Sequence, residues 1–222
     1  MASAADFGAQ SAMPSANSEL RFLALGDSYS IGESVAEQER WPVQLAAMLR
    51  ETGLAVVEPE IIARTGWTTG ELAAAINEAS PMGPYDLVSL LIGVNNQYRG
   101  LPIDEYRAQF RVLLGASVAF AGGDAQRVIV LSIPDWGVTP FAEGHARERI
   151  AAEIDQFNAV NREEAAIAGV RYVDVTGVSR EAAANTALLA SDGLHPSGTM
   201  YRRWAELALP AAFEALGRLP SG

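Results

Sequence analysis

The feature that most constrains the fold is a regular alternation of short apolar segments with longer amphipathic ones. The apolar segments have the length of buried strands and cover residues 21–25, 55–63, 86–93, 128–133 and 170–175. The segments between them can hold helices of ten or more residues, which a crossover between parallel strands requires. The alternation therefore predicts an α/β fold, a three-layer α/β/α sandwich around a central five-stranded parallel sheet.

Local signals place the helices between these strands. Pro42 suits the first turn of a helix that Gly53 ends, and Thr68 with Glu71 forms a capping box for a helix to about Ala79. Three later helices are expected. The first ends near Gly122, and the second lies within residues 143–168. The third starts from Ser197 as N-cap and is kinked or divided at Pro210.

Length and composition indicate one domain behind a short tail. Residues 1–18 are rich in Ala, Ser, Gly and Asn without periodicity, as expected of a mobile tail, a leader remnant or a segment foreign to the natural chain. No repeat or linker-like stretch divides residues 21–218, and a chain of this length can bury a sizeable core. We therefore expect a flexible tail over residues 1–19 and a single domain over residues 20–222.

Charge and missing residue types exclude several functions. The 27 acidic and 16 basic side chains give a formal net charge of -11, which repels nucleic acid and anionic surfaces. There is no cysteine, and the two histidines are far apart, so we expect no metal and no cofactor. Because neither a membrane-spanning run nor a secretory signal is present, the sequence favours a soluble, cytoplasmic protein; it does not indicate the oligomeric state.

Reactive side chains cluster just after the predicted strands. Ligands of parallel α/β sheets bind beyond the carboxyl ends of the strands, so the residues that follow each strand are the first candidates for a site. Those residues are 27–28, 64–66, 94–96, 134–136 and, after the fifth strand, 192–195. A nucleophile, amide donors and an acid–histidine pair are thus predicted to meet at one edge of the sheet.

Ser28 is the candidate nucleophile. A serine hydroxyl attacks an ester at neutral pH only if a base takes its proton, and His145 and His195 are the two histidines available. His195 follows Asp192 by three residues, a spacing that lets one turn set the carboxylate against the imidazole. We expect Ser28, Asp192 and His195 to be catalytic, and His145, in a charged stretch, to face solvent.

Attack on an acyl carbon creates an oxyanion that needs preorganised donors. The candidates are the backbone N–H groups of Ser28 and Gly66 and the side-chain amide of Asn95. Simpler interpretations exist beside these: Gly66 can serve a left-handed turn, Asn95 can cap a loop, and Asp192 can be an ordinary turn residue. For Asp27 we expect no more than hydrogen bonds to the amides of its turn.

Four ordered sequence blocks resemble the SGNH/GDSL hydrolase superfamily of esterases and lipases over roughly residues 21–218. They are residues 26–30 around Ser28, Gly66, residues 93–96 around Asn95, and residues 192–196 around His195. The chain departs from the family pattern at two positions, where Tyr29 replaces a leucine and Asn96 stands where many members have aspartate. The second departure removes a negative charge and leaves the hydrogen bonding of that loop open.

The resemblance implies a flavodoxin-like sheet and a metal-independent carboxylic ester hydrolase acting on a small-molecule ester, or a thioester, through an acyl-serine intermediate. Short to medium acyl chains are expected. Two alternatives remain: transfer of the acyl group to a sugar or alcohol, and non-catalytic binding of carbohydrate or lipid on the same fold. Four residues of the loops after strands three and four either line the acyl pocket or only pack on the sheet edge: Tyr98, Leu101, Trp136 and Phe141.

Overall fold

A parallel sheet of five strands organises residues 19–217, the part of the chain that this computed structural model describes. The strands are β1 (Phe22–Asp27), β2 (Glu60–Arg64), β3 (Leu87–Leu91), β4 (Val128–Leu131) and β5 (Arg171–Val173). Their order is β2-β1-β3-β4-β5, and all neighbours pair in parallel. This is the flavodoxin-like order, in which the connections change direction between β1 and β3. The predicted fold class is confirmed.

Helices cover both faces of the sheet. The α-helices of the described residues are α1 (Ser28–Ile31), α2 (Trp41–Glu51), α3 (Thr69–Ala79), α4 (Val94–Tyr98), α5 (Ile103–Phe120), α6 (Arg147–Ala168), α7 (Thr176–Arg180) and α8 (Gly198–Ala215). Helix α2 packs against α8, and α5 packs against both α3 and α6. These two groups form the outer layers of the sandwich. None of the helices within residues 19–217 is long and apolar enough to cross a membrane.

Burial follows the position of each strand in the sheet. Every residue of β1 and β3 is buried, as expected for strands with neighbours on both sides and helices on both faces. The edge strand β2 is partly exposed and begins only after Pro59, which has no backbone N–H to give to a ladder. The residues before this proline contribute a single bridge, between Val56 and Leu20.

The predicted helix signals are present in the structure. Thr68 accepts a hydrogen bond from the Glu71 N–H, and the Glu71 carboxylate accepts one from the Thr68 N–H, which completes the capping box of α3. Ser197 caps α8 through the Met200 N–H. Pro210 does not divide this helix, because the helix continues through it to Ala215. The tail over residues 1–18 lies outside the described residues.

Candidate active site

The change of direction in the sheet brings two of the sequence blocks together. Ser28 directly follows β1, and Asn95 lies in α4, the first helix after β3. Gly66 follows β2, which pairs with the other side of β1. The carboxyl ends of these three strands therefore deliver Ser28, Gly66 and Asn95 to one edge, where sheets of this order bind their ligands.

The turn that presents Ser28 is fixed by its neighbours. Ser28 opens α1, and the side chain of Asp27 accepts a hydrogen bond from the Tyr29 N–H as N-cap of this helix. Gly26 has no room for a side chain, since a Cβ would lie 2.2 Å from Ser30 Oγ and 2.5 Å from the Leu91 carbonyl oxygen. The tight packing sets the position of the serine side chain relative to the sheet.

Asp27 is a fully buried acid directly before the candidate nucleophile. Its Oδ1 accepts the Tyr29 N–H, while Oδ2 has no hydrogen-bond partner among the described residues. Burial raises the pKa of Asp27 to about 7, against the lowering effect of the backbone N–H groups. A carboxyl that is partly protonated near neutral pH can stay buried without a counter-charge. The expected turn bond is present, and the unpaired oxygen is an additional finding.

Asp192 and His195 form a direct pair. Asp192 Oδ2 lies 2.6 Å from His195 Nδ1, and Asp192 Oδ1 accepts the backbone N–H groups of Leu194 and His195 at 2.9 and 3.0 Å. Partial burial alone would raise the pKa of Asp192, but the hydrogen bonds from His195, Leu194 and Ser34 outweigh it and hold the pKa well below its usual value. An ionised Asp192 only accepts, so Nδ1 must carry a proton toward it, and in the neutral imidazole the lone pair is on Nε2.

Ser34 is a site residue that sequence reasoning missed. Its Oγ donates to Asp192 Oδ2 at 2.7 Å, the same oxygen that faces His195. Ser34 has a φ of 65°, a left-handed conformation that is uncommon for a residue other than glycine. The two residues are 158 positions apart, so no local sequence pattern indicates their contact.

Tyr29, the first departure from the family pattern, packs on the histidine. Its ring centroid lies 5.4 Å from that of His195 and 6.0 Å from that of Trp204. Tyr29 is buried, as is His195. The tyrosine therefore supports one side of the imidazole while the carboxylate of Asp192 holds Nδ1.

Each candidate oxyanion donor has an N–H group that is available to bind a ligand. Gly66 has a φ of 88°, and within residues 19–217 its N–H donates to no described group. The Asn95 amide nitrogen donates one hydrogen to the Trp67 carbonyl oxygen at 2.9 Å, which leaves its second N–H available. As the first residue of α1, Ser28 has a backbone N–H without an acceptor in its own helix.

Asn96, the second departure, ties two of the loops together. It is buried, its Oδ1 accepts the Thr69 N–H at 3.0 Å, and its amide nitrogen donates to Thr69 Oγ1 at 2.7 Å. Thr69 Oγ1 donates its own hydrogen to Gln109 Oε1, so an aspartate carboxylate at position 96 could make only the first of these bonds. The amide thus links the loop of Asn95 to the start of α3, which follows the loop of Gly66.

Two neighbouring cavities meet at this edge. The smaller, of about 140 Å³, is named the acyl pocket here after the role that the sequence predicts for it, and among its lining residues are Ser28, His195, Gly66, Asn95, Tyr29 and Leu194. Tyr98, Trp136 and Phe141 also line it, with Tyr98 and Trp136 ring centroids 5.3 Å apart. Leu101 instead lines the larger cavity, of about 670 Å³, which shares Tyr98 and Trp136 with the acyl pocket.

The candidate nucleophile and the candidate base lie in the same pocket without a direct hydrogen bond between them. Ser28 and His195 line the same pocket, and among the hydrogen bonds of the described residues none joins the Ser28 hydroxyl to the His195 ring. In ligand-free hydrolases this bond is often long and shortens with substrate. His145 is exposed, as expected, and its ring contacts Trp136 with centroids 5.4 Å apart. Residues 19–217 contain no group of three or more His, Asp or Glu side chains that could hold a metal ion.

The sheet order defines a flavodoxin-like α/β fold, and its carboxyl edge carries a serine, a histidine–aspartate pair and amide groups. Comparison with protein-family models gives a match to the GDSL-like lipase/acylhydrolase family over residues 24–203. The chain belongs to this family and is a carboxylic ester hydrolase acting on a small-molecule substrate. A search of curated proteins finds no match.

Solved structures of several esterases share the fold. TesA is 19% identical, with a TM-score of 0.70 over 88% of this chain and 99% of that one. The psychrotrophic esterase EstA from Pseudoalteromonas sp. is 17% identical, with a TM-score of 0.64 over 89% and 99%. The acetylxylan esterase Axe2 from Geobacillus stearothermophilus is 21% identical, with a TM-score of 0.65 over 91% and 97%.

Proposed function

We propose that the protein hydrolyses esters of short-chain carboxylic acids through an acyl-Ser28 intermediate. The observation that carries this proposal is that Ser28, Gly66, Asn95 and His195 line one small pocket, with Asp192 bonded to His195. Each of these groups has a plainer structural interpretation, but together they supply every part that acyl transfer requires.

The first half of the reaction uses His195 as base. Nε2 accepts the proton of the Ser28 hydroxyl as Oγ attacks the acyl carbon, and Asp192 stabilises the imidazolium that forms. The N–H groups of Ser28, Gly66 and Asn95 stabilise the oxyanion of the tetrahedral intermediate. His195 then gives its proton to the leaving alcohol, and the acyl group stays on Ser28.

In the second half, water replaces the alcohol. His195 takes a proton from this water as it attacks the acyl carbon, and returns the proton to Ser28 Oγ as the acid leaves. No step calls for a metal ion, because His195 carries each proton and the three N–H donors stabilise the oxyanion.

The size of the acyl pocket favours short acyl groups. Its volume of about 140 Å³ is well below the roughly 300–1,000 Å³ of pockets that enclose drug-sized ligands. Aromatic residues form its outer part, with Tyr98, Trp136 and Phe141 in mutual contact. One structure of this fold is of an acetylxylan esterase, an enzyme that removes the shortest common acyl group.

A panel of 4-nitrophenyl esters tests the proposal. We expect kcat/KM to be highest for acetate and butyrate and to fall at least about tenfold for dodecanoate, because the longer chain cannot be enclosed. The activity should persist in a chelator and disappear in Ser28→Ala. Equal or greater turnover of dodecanoate would contradict the short-chain assignment, and no turnover of any ester would contradict the function.

The contact of Ser34 with Asp192 gives a further prediction. Ser34→Gly removes the hydroxyl that holds Asp192 Oδ2 and also relieves the left-handed conformation. We expect kcat to fall about fivefold, the equivalent of one hydrogen bond of about 1 kcal/mol. The thermal midpoint should stay the same or rise, so activity and stability change in opposite directions.

Ser80→Gly is the matched control for this experiment. Ser80 is another serine with a positive φ, 45°, and within the described part of the chain its hydroxyl bonds only to the Asn77 carbonyl oxygen at the end of α3. It should show the stability effect without any change in kcat. A Ser34→Gly enzyme with normal kcat, or a fall of kcat explained by a lower thermal midpoint, would remove Ser34 from the site.

A further inference from the structure

The larger cavity beside the acyl pocket has a different chemical character. Tyr98 and Trp136 separate the two, since both residues line both cavities. The larger one, of about 670 Å³, is bordered by one face of α6 and by the chain after α4, and we call it the polar cavity. The polar side chains that line it are Gln97, His145, Arg149, Glu153 and Gln156.

We propose that the polar cavity binds the alcohol part of the ester and that this alcohol is uncharged and rich in hydroxyl groups, as a sugar is. The inference rests on the proposed function, because it assumes that the ester carbonyl sits at Ser28. An ester extends in two directions from its carbonyl. The acyl pocket accommodates the short acyl side of the ester. The alcohol side is then directed to the polar cavity, past Tyr98 and Trp136, which we call the aromatic wall.

The charges of the polar cavity argue against an anionic alcohol. Arg149 Nε pairs with Glu153 Oε1 at 2.6 Å, so its charge is balanced within the cavity wall. Glu153 Oε2 accepts a hydrogen bond from Gln97 at 2.8 Å. A phosphate or a coenzyme A moiety would meet this balanced pair on a chain of net charge -11. An anionic ligand would find no unpaired positive charge there and would be repelled by the acidic chain, whereas a neutral ligand is not repelled.

The aromatic wall has a fixed orientation that suits a sugar ring. The Trp136 indole N–H donates to Gln97 Oε1 at 2.8 Å, and Gln97 in turn donates to Glu153. Sugars present an apolar C–H face and a rim of hydroxyls, and they need an aromatic surface next to hydrogen-bonding groups. Tyr98 is half exposed at the boundary of the two cavities and supplies such a surface, with the amide of Gln156 and the Arg149–Glu153 pair nearby in the cavity wall.

The test compares two acetyl esters and one acetyl thioester, which share the acyl group and differ in the leaving group. They are ethyl acetate, a monoacetylated pyranose and acetyl coenzyme A. For the wild-type enzyme we expect kcat/KM for the sugar ester to exceed that for ethyl acetate by about tenfold or more. Acetyl coenzyme A should show no such advantage.

Ala146→Trp is the informative variant. Ala146 lines the polar cavity at the start of α6, and a tryptophan there would occupy part of the space next to Arg149 and Trp136. The ratio of kcat/KM for the sugar ester to that for ethyl acetate should fall about tenfold. Ala152→Trp puts the same bulk on an exposed position of α6 outside the cavity and should leave the ratio unchanged. Gln156→Ala gives a second variant that adds no bulk and should lower the ratio as well.

The outcomes separate this inference from the proposed function. Suppose that all variants hydrolyse ethyl acetate and that this activity depends on Ser28. If the ratio of kcat/KM for the sugar ester to that for ethyl acetate is then near one, or is unchanged in Ala146→Trp and Gln156→Ala, the proposed alcohol site is wrong. The proposed esterase function is unaffected by that result. A preference for acetyl coenzyme A would equally overturn the neutral-alcohol assignment. If the wild-type protein hydrolyses none of the three acetyl compounds, the proposed function fails first and the inference with it.

Discussion

Replacing Ser28 or His195 by alanine should each lower kcat by at least about 10³-fold, and the double variant should be little worse than either single one. The two side chains line one pocket and are proposed to act in one proton transfer. Once either is lost, the other has no partner, and the residual rate comes from the oxyanion donors and substrate binding. The measurement is steady-state kinetics with 4-nitrophenyl acetate on the three variants.

The control for these variants is a measurement of the thermal midpoint, which shows that each variant is still folded. The Ser28→Ala protein loses only a hydroxyl beside the pocket, and its thermal midpoint should stay near that of the wild type. His195 packs on Tyr29, so its loss can also lower stability, and kinetics are therefore measured well below the midpoint. Losses of the two single variants that multiply in the double variant would contradict a shared step.

Asn95→Ala should lower kcat by about 10²- to 10³-fold with little change in KM. The reason is that an oxyanion donor strengthens its hydrogen bond as charge develops in the transition state. The amide of Asn95 is oriented for this role by its bond to the Trp67 carbonyl oxygen, which occupies one N–H and leaves the other for the pocket. The same bond also allows the plainer role of holding the loop.

Oxyanion donation and loop anchoring by Asn95 predict different effects on kcat and on the thermal midpoint. Pure loop anchoring would lower the thermal midpoint and leave the folded enzyme with near-normal kcat. Asn96→Ala is the comparison for that case, because Asn96 is buried and makes two hydrogen bonds to Thr69. A destabilised Asn95→Ala enzyme with near-normal kcat would leave Ser28 and Gly66 as the remaining donor candidates.

Most of the fold could be predicted because its signals are local. The apolar runs, the capping box at Thr68 and the breaker at Pro59 each act over a few residues, and the structure follows them. The short helices α1, α4 and α7 were not predicted, since five residues or fewer cannot show a helical period. Pro210 was expected to kink or divide α8; the helix is not divided and continues through Pro210 to Ala215.

The site was predictable only as far as the chain order of the strands allowed. Residues that follow strands can be assigned to one edge, which brings together Ser28, Gly66 and Asn95. Contacts between distant loops have no such rule, so the bond from Ser34 to Asp192 was missed. Leu101 was grouped with Tyr98 because of its nearby position, yet the chain after α4 turns it into the polar cavity. That cavity depends on side chains of α6, whose packing no sequence period reveals.

The most direct test of the central claim is to identify the residue that reacts with a fluorophosphonate ester. Such reagents phosphonylate an activated serine and mimic the acyl-enzyme. Peptide mass spectrometry should find one adduct per chain, on Ser28, formed in parallel with the loss of ester hydrolysis, absent in Ser28→Ala and much slower in His195→Ala. Loss of hydrolysis with the adduct on another residue, or full hydrolysis by protein phosphonylated at Ser28, would contradict the account.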